Sequence, residues 1–75
     1  MIKTFTINGF DGLNHEIKIE WDEAWEEATI TDGLGGVAFM DAEEASEFGA
    51  PGTEAWAKAL AKAIENNPAI VDWRD

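Results

Sequence analysis

Cysteine and tyrosine are absent from the 75 residues, histidine and serine occur once each, and lysine and arginine together number five. Without cysteine there are no disulfides, no thiolate metal sites and no thiol nucleophile, so the core alone must hold the chain together, as suits a reducing cytoplasm. No apolar run approaches the roughly 18 residues of a membrane span, and Met1 to Thr6 alternates instead of building the hydrophobic region of a signal peptide. The scarcity of bases is the more informative lack, because 16 acids outweigh them to a formal net charge of -11. Nucleic acids and anionic bilayers are held by lysine and arginine, so neither is expected as a direct partner, and any charged partner should itself be basic.

What is present is apolar enough to fold. The hydrophobic fraction is 45% and includes four Trp and four Phe, which excludes a disordered acidic tail, since such tails are poor in aromatics. A chain this short buries only about 60% of the surface that it exposes when unfolded. It therefore has room for one core, a single domain over residues 1–75, and little bulk for a deep active-site cleft.

The charge is concentrated. From Glu20 to Ala57 the acids are Glu20, Asp22, Glu23, Glu26, Glu27, Asp32, Asp41, Glu43, Glu44, Glu47 and Glu54, with no lysine or arginine among them. Outside that stretch Asp11, Glu16, Glu65, Asp72 and Asp75 offset Lys3, Lys18, Lys58, Lys62 and Arg74. Acids placed only for solubility are usually interspersed with bases, so the segregation calls for an account of its own.

Ile2 to Ile7 alternates, with Lys3, Phe5 and Ile7 on one side, and predicts a strand. Asn8-Gly9 and Asp11-Gly12 are turn signals that bracket Phe10 in a loop. His15, Ile17, Ile19 and Trp21 alternate with Glu16, Lys18 and Glu20, predicting a half-buried strand that forms a hairpin with the first. From Asp22 to Glu27 a short helical turn capped by Asp22, bringing Trp21 and Trp25 together at i,i+4, competes with continued extension, and the turn is favoured. Ala28–Thr31 and Val37–Met40 predict a second hairpin around Asp32-Gly33-Leu34-Gly35-Gly36.

Asp41, with Glu44 three residues on, predicts the cap of a short helix that turns Ala42, Ala45 and Phe48 inward, leaves Glu43, Glu44 and Glu47 to water and stops at Gly49. Thr53 predicts the cap of a longer helix to about Asn66, with Trp56, Leu60, Ala63 and Ile64 buried and Lys58, Lys62 and Glu65 outside. Asn67-Pro68 ends it, and Ala69 to Trp73 could add a last strand. The fold class read from this pattern is α+β: an antiparallel sheet of about four strands against the longer helix, with the short helix at an edge.

Catalytic chemistry finds little support. His15 has no cysteine partner and only the distant Ser46, so it reads as one position on a strand face. Paired carboxylates are plentiful, but a glycosidase pair needs a cleft that differentiates two acids. Gly33-Leu34-Gly35-Gly36 lacks the Lys and Ser/Thr of a P-loop and reads as hairpin chemistry. The acidic runs lack the ligand order of an EF-hand, so neither a metal nor a cofactor is expected. Trp21, Trp25, Trp56 and Trp73 are core candidates by size, although one could serve as an exposed interface anchor.

Two readings of the acids remain. One is a solvated face, or adaptation to high salt. The other is a surface that docks on a basic, nucleic-acid-binding groove, using long-range attraction for fast association and carboxylate–guanidinium pairs for affinity. In size, α+β pattern, missing cysteines and base-free acidic stretch, the chain resembles in type the small acidic phage proteins that inhibit host defence, anti-CRISPR proteins and other DNA mimics. That resemblance implies stoichiometric inhibition in the host cytoplasm, without turnover or cofactor. The residues expected to meet the partner are Glu20, Asp22, Glu23, Glu26, Glu27, Glu43, Glu44 and Glu47. The alternatives are an interaction or accessory domain with an apolar interface, and a very small enzyme built around His15.

Overall fold

The computed structural model describes residues 2–10, 15–31, 33 and 35–74. Four strands, β1 (Ile2–Phe10), β2 (His15–Asp22), β3 (Glu27–Thr31) and β4 (Val37–Asp41), form one antiparallel sheet in the order β1-β2-β3-β4. Each strand pairs with its neighbour in sequence, as the alternation and turn residues require. The expected α+β fold is the observed one.

The register sorts the side chains into two faces. Phe5 stands opposite Ile19, Ile19 opposite Ile30 and Ile30 opposite Ala38, while Trp21, Ala28 and Met40 form the adjacent row. These residues face inward, and Ile17, Ile19, Ala28, Ile30 and Ala38 are wholly buried. Above them lies α2 (Glu54–Asn66), whose buried stripe is Trp56, Ala57, Leu60, Ala61 and Ile64. Ala63, expected in that stripe, is only half-buried; Ala57 and Ala61 take the contact, because small residues let the helix approach the sheet closely. Thr53 Oγ1 accepts from the Trp56 N–H at 3.2 Å and fixes the start of the helix.

Trp56 is the centre of the core. Its ring meets Trp21 edge-on at 5.8 Å and Phe5 at 6.3 Å. Its indole N–H donates to the Ala45 carbonyl at 2.8 Å, tying α2 to the short helix α1 (Ala42–Ala45). A buried indole N–H needs such a partner, and a buried hydrogen bond of this kind contributes about 1 kcal/mol net. Asp41 caps α1 by accepting from the Glu44 N–H at 2.9 Å, and the chain continues through a 3-10 turn at Ser46–Phe48 to Gly49.

Three expectations are corrected. β1 does not end at Ile7 but runs to Phe10, because one extra residue between Ile7 and Phe10 forms a bulge that absorbs Asn8-Gly9. Asp22 does cap a short turn at residues 23–26, but that turn closes the β2–β3 hairpin, with Asp22 opposite Glu27, instead of bringing Trp21 and Trp25 together. Trp21 consequently points into the core while Trp25 is 80% exposed. Finally, Ala69 to Trp73 adds no strand. Asn67 Oδ1 accepts from the Ala69 N–H and begins a 3-10 turn at Pro68–Ile70. Arg74 pairs with the sheet as an isolated bridge, exchanging two main-chain hydrogen bonds with Val37 at 2.6 and 2.8 Å. The Asp11-Gly12 turn, Asp32, Leu34 and the side chain of His15 lie outside the described residues.

A carboxylate row on the uncovered sheet face

The helices cover one face of the sheet and leave the other bare. Alternation places Glu16, Lys18, Glu20 and Asp22 of β2 on this outer face, with Thr4 and Thr6 of β1, Glu27, Thr29 and Thr31 of β3, and Phe39 and Asp41 of β4. Five carboxylates thus share a face with one lysine.

The end row is the densest part. Ile2 stands opposite Asp22, Asp22 opposite Glu27, and Glu27 opposite Asp41. Directly opposed residues are about 4.5–5.5 Å apart, so three acids follow one another across three strands at that spacing. Asp22 and Asp41 hold their rotamers through main-chain contacts. Asp22 Oδ1 accepts from the N–H groups of Ala24 at 3.0 Å and Trp25 at 3.3 Å, while Asp41 accepts from Glu44. The row is therefore preorganised at both ends, and Glu27 stands between two fixed carboxylates.

The eight residues singled out in the sequence fall into three groups. Glu20, Asp22 and Glu27 share the outer face. Glu23 and Glu26 lie in the hairpin turn, and Glu23 meets Lys3 Nζ at 3.3 Å. Glu43, Glu44 and Glu47 are exposed on α1 and the following 3-10 turn, which pack on the helical side of the sheet through buried Ala45. Asp41 is the hinge between the groups, since it ends the carboxylate row and begins α1. Sequence reasoning counted Asp41 among the acids and as a helix cap but not among the residues that meet a partner, although the two strands flanking the Asp32–Gly36 loop already imply that residue 27 faces residue 41.

Trp25 is the second feature that the sequence left open. Ile2, Trp25 and Phe39 are the large apolar side chains left exposed among the described residues, and Trp25 is the most exposed of them. It sits at the hairpin tip between Asp22-Glu23 and Glu26-Glu27. Its neighbour Glu26 adopts a positive φ of 51°, a conformation unfavourable for a side chain of that size.

A cleft of about 430 Å³ opens where the C-terminal segment leaves the edge of β4, with Glu44, Asp72 and Arg74 as its charged lining. Arg74 is 3.5 Å from Asp72. Among the described residues no three His, Asp or Glu side chains are grouped to hold a metal ion, and no helix is long and apolar enough to cross a membrane. The Lys58 ammonium, hydrogen-bonded to Glu54 at 2.9 Å and attracting its charge, holds that carboxyl below the usual value of 4.5. That pair lies on α2, away from the carboxylate row. Compared with protein-family models, with curated proteins and with solved structures, the chain matches none.

Proposed function

We propose that this protein is a non-enzymatic inhibitor of the anti-CRISPR or DNA-mimic type, which occupies the basic nucleic-acid-binding surface of a host protein complex. The observation that carries the reading is the row Asp22–Glu27–Asp41. Like charges directly opposite one another destabilise a sheet. Asp22 and Asp41 also serve the fold, as caps of the hairpin turn and of α1, whereas Glu27 between them faces away from the apolar core. A basic partner would turn that repulsion into affinity, because its cations neutralise both members of each pair.

The dimensions support the comparison with nucleic acid. The molecule extends 31 × 25 × 20 Å. Duplex DNA carries one charge per ~1.7 Å, or about 18 charges over the longest of these dimensions. A net charge of -11 on a body of this size is of the same order.

Affinity capture from a bacterial lysate at low salt, with parallel washes in salt and in competing DNA, tests the proposal. A nucleic-acid-binding complex released by both washes, and not captured by a variant carrying Glu20→Lys, Glu27→Lys and Glu43→Lys, is the expected result. A partner that resists salt and is retained by the triple variant would sink it. That outcome would favour the alternative of an apolar interface, for which exposed Ile2, Trp25 and Phe39 supply the surface.

A further inference from the structure

We infer that Trp25 is the anchor of the docking surface and that it selects arginine over lysine on the partner, by stacking its indole on a guanidinium held by the flanking carboxylates. The inference rests on the acidic-surface reading above and adds to it the kind of cation recognised.

The core does not explain Trp25. Trp21 and Trp56 are buried and meet edge-on, whereas Trp25 is 80% exposed and its backbone is held outward by Asp22. A tryptophan on a turn whose backbone is tied down offers a large contact area for only two side-chain torsions, which is the property of an interface anchor. The neighbours decide what can cover it. Asp22, Glu23, Glu26 and Glu27 lie within three residues on either side; no base occurs between Glu20 and Ala57, and Lys3 reaches Glu23 from β1 at 3.3 Å, so Asp22, Glu26 and Glu27 carry the unbalanced charge of the tip.

Each class of occupant fits differently. An apolar partner would cover the indole only by drawing adjacent carboxylates out of water without compensation. A second copy of this chain would bring two such tips together, each belonging to a molecule of charge -11. A cation satisfies both parts of the tip at once, and arginine does so better than lysine. Its guanidinium is planar and weakly hydrated, stacks on an aromatic face and still directs its fork of N–H donors toward carboxylates; a lysine ammonium is a compact, strongly hydrated point charge. The occupant is therefore an arginine-presenting protein surface.

Titration with octa-arginine and octa-lysine peptides at low ionic strength tests this. The intact protein should bind octa-arginine about two- to fivefold more tightly than octa-lysine, the range expected of a cation–π contact at an exposed site. Trp25→Ala should bring the two affinities together, whereas the triple variant Glu43→Gln, Glu44→Gln, Glu47→Gln should weaken both and keep the preference. In the unaltered protein, the Trp25 indole N–H resonance should shift with octa-arginine more than those of Trp21 and Trp56, a readout independent of any variant's folding. Equal binding of the two peptides, or a preference that survives Trp25→Ala, overturns the anchor while leaving the acidic-surface reading standing. Failure to bind either peptide overturns both.

Discussion

Glu27 faces Asp41 directly across the β3–β4 pair, on the side of the sheet that no helix covers. The same Glu27 faces Asp22 on its other flank. A lysine at position 27 would replace two repulsions by two attractions. Glu27→Lys should therefore raise the unfolding free energy by about 0.5–1 kcal/mol, toward the low end because the side chain is exposed. The gain, read from the urea midpoint, should shrink with added salt. The same variant should bind octa-arginine more weakly. A substitution that stabilises the fold and impairs binding marks a residue kept for its partner; loss of stability in Glu27→Lys would contradict the repulsion.

Gly52 and Trp21 impose a second constraint. Gly52 is buried at φ +87°, and a Cβ built there would stand 2.8 Å from Trp21 Cδ1. Gly52→Ala thus combines left-handed strain with overpacking, for an expected loss of about 2–4 kcal/mol. Because Trp21 must give way and its ring packs on Trp56, near-ultraviolet circular dichroism should weaken in the folded variant. An alanine variant with an unchanged spectrum and midpoint would refute the contact.

At the hairpin tip, charge and strain can be separated at Glu26. Glu26→Gly removes both the carboxylate and the penalty for a side chain at φ 51°, and should stabilise the protein by about 0.5–1 kcal/mol. Glu26→Gln removes only the charge and should leave the strain in place. Thermal melts of the pair decide the matter: equal midpoints would show that the turn carries no strain.

Glu54 provides a test in pH. Its folded pKa is depressed, so the contribution of the Glu54–Lys58 pair is present above the ordinary value of 4.5 and is lost as pH falls through the lower folded value. Carboxyl titration followed by NMR should place Glu54 below 4.5, and Lys58→Met should return it toward that value. No movement in Lys58→Met would exclude Lys58 as the cause.

Much of the sheet was legible because its strands are short and cleanly alternating. Ile17, Ile19 and Trp21 could lie on only one face, and the Gly-rich segment before Val37 left the second hairpin little choice of register. The hairpin tip was not legible, because an aspartate that accepts from N–H groups two and three residues on signals a helix start and an Asx turn equally well. Only the pairing of β2 with β3 on either side of the tip chooses between them, and that choice sends Trp25 outward. The C-terminal segment misled for a related reason. Val71 and Trp73 alternate as in a strand, yet Asn67-Pro68 turns the chain first, so it reaches β4 only at Arg74. The acidic surface was legible in composition but not in arrangement, since the joining of the two clusters depends on the register at Glu27 and Asp41.

The nearest-neighbour order of the strands also bears on how the chain acquires its structure. Every ladder closes between segments adjacent in sequence, joined by connections of a few residues. Such pairings require little loop closure and form on short timescales. The step that spans the chain is the return of α2 to the first strand, where Trp56 meets Phe5. Truncating Phe5 should therefore register in the refolding rate, whereas loosening the outer-face row at Glu27 should register in the rate of unfolding.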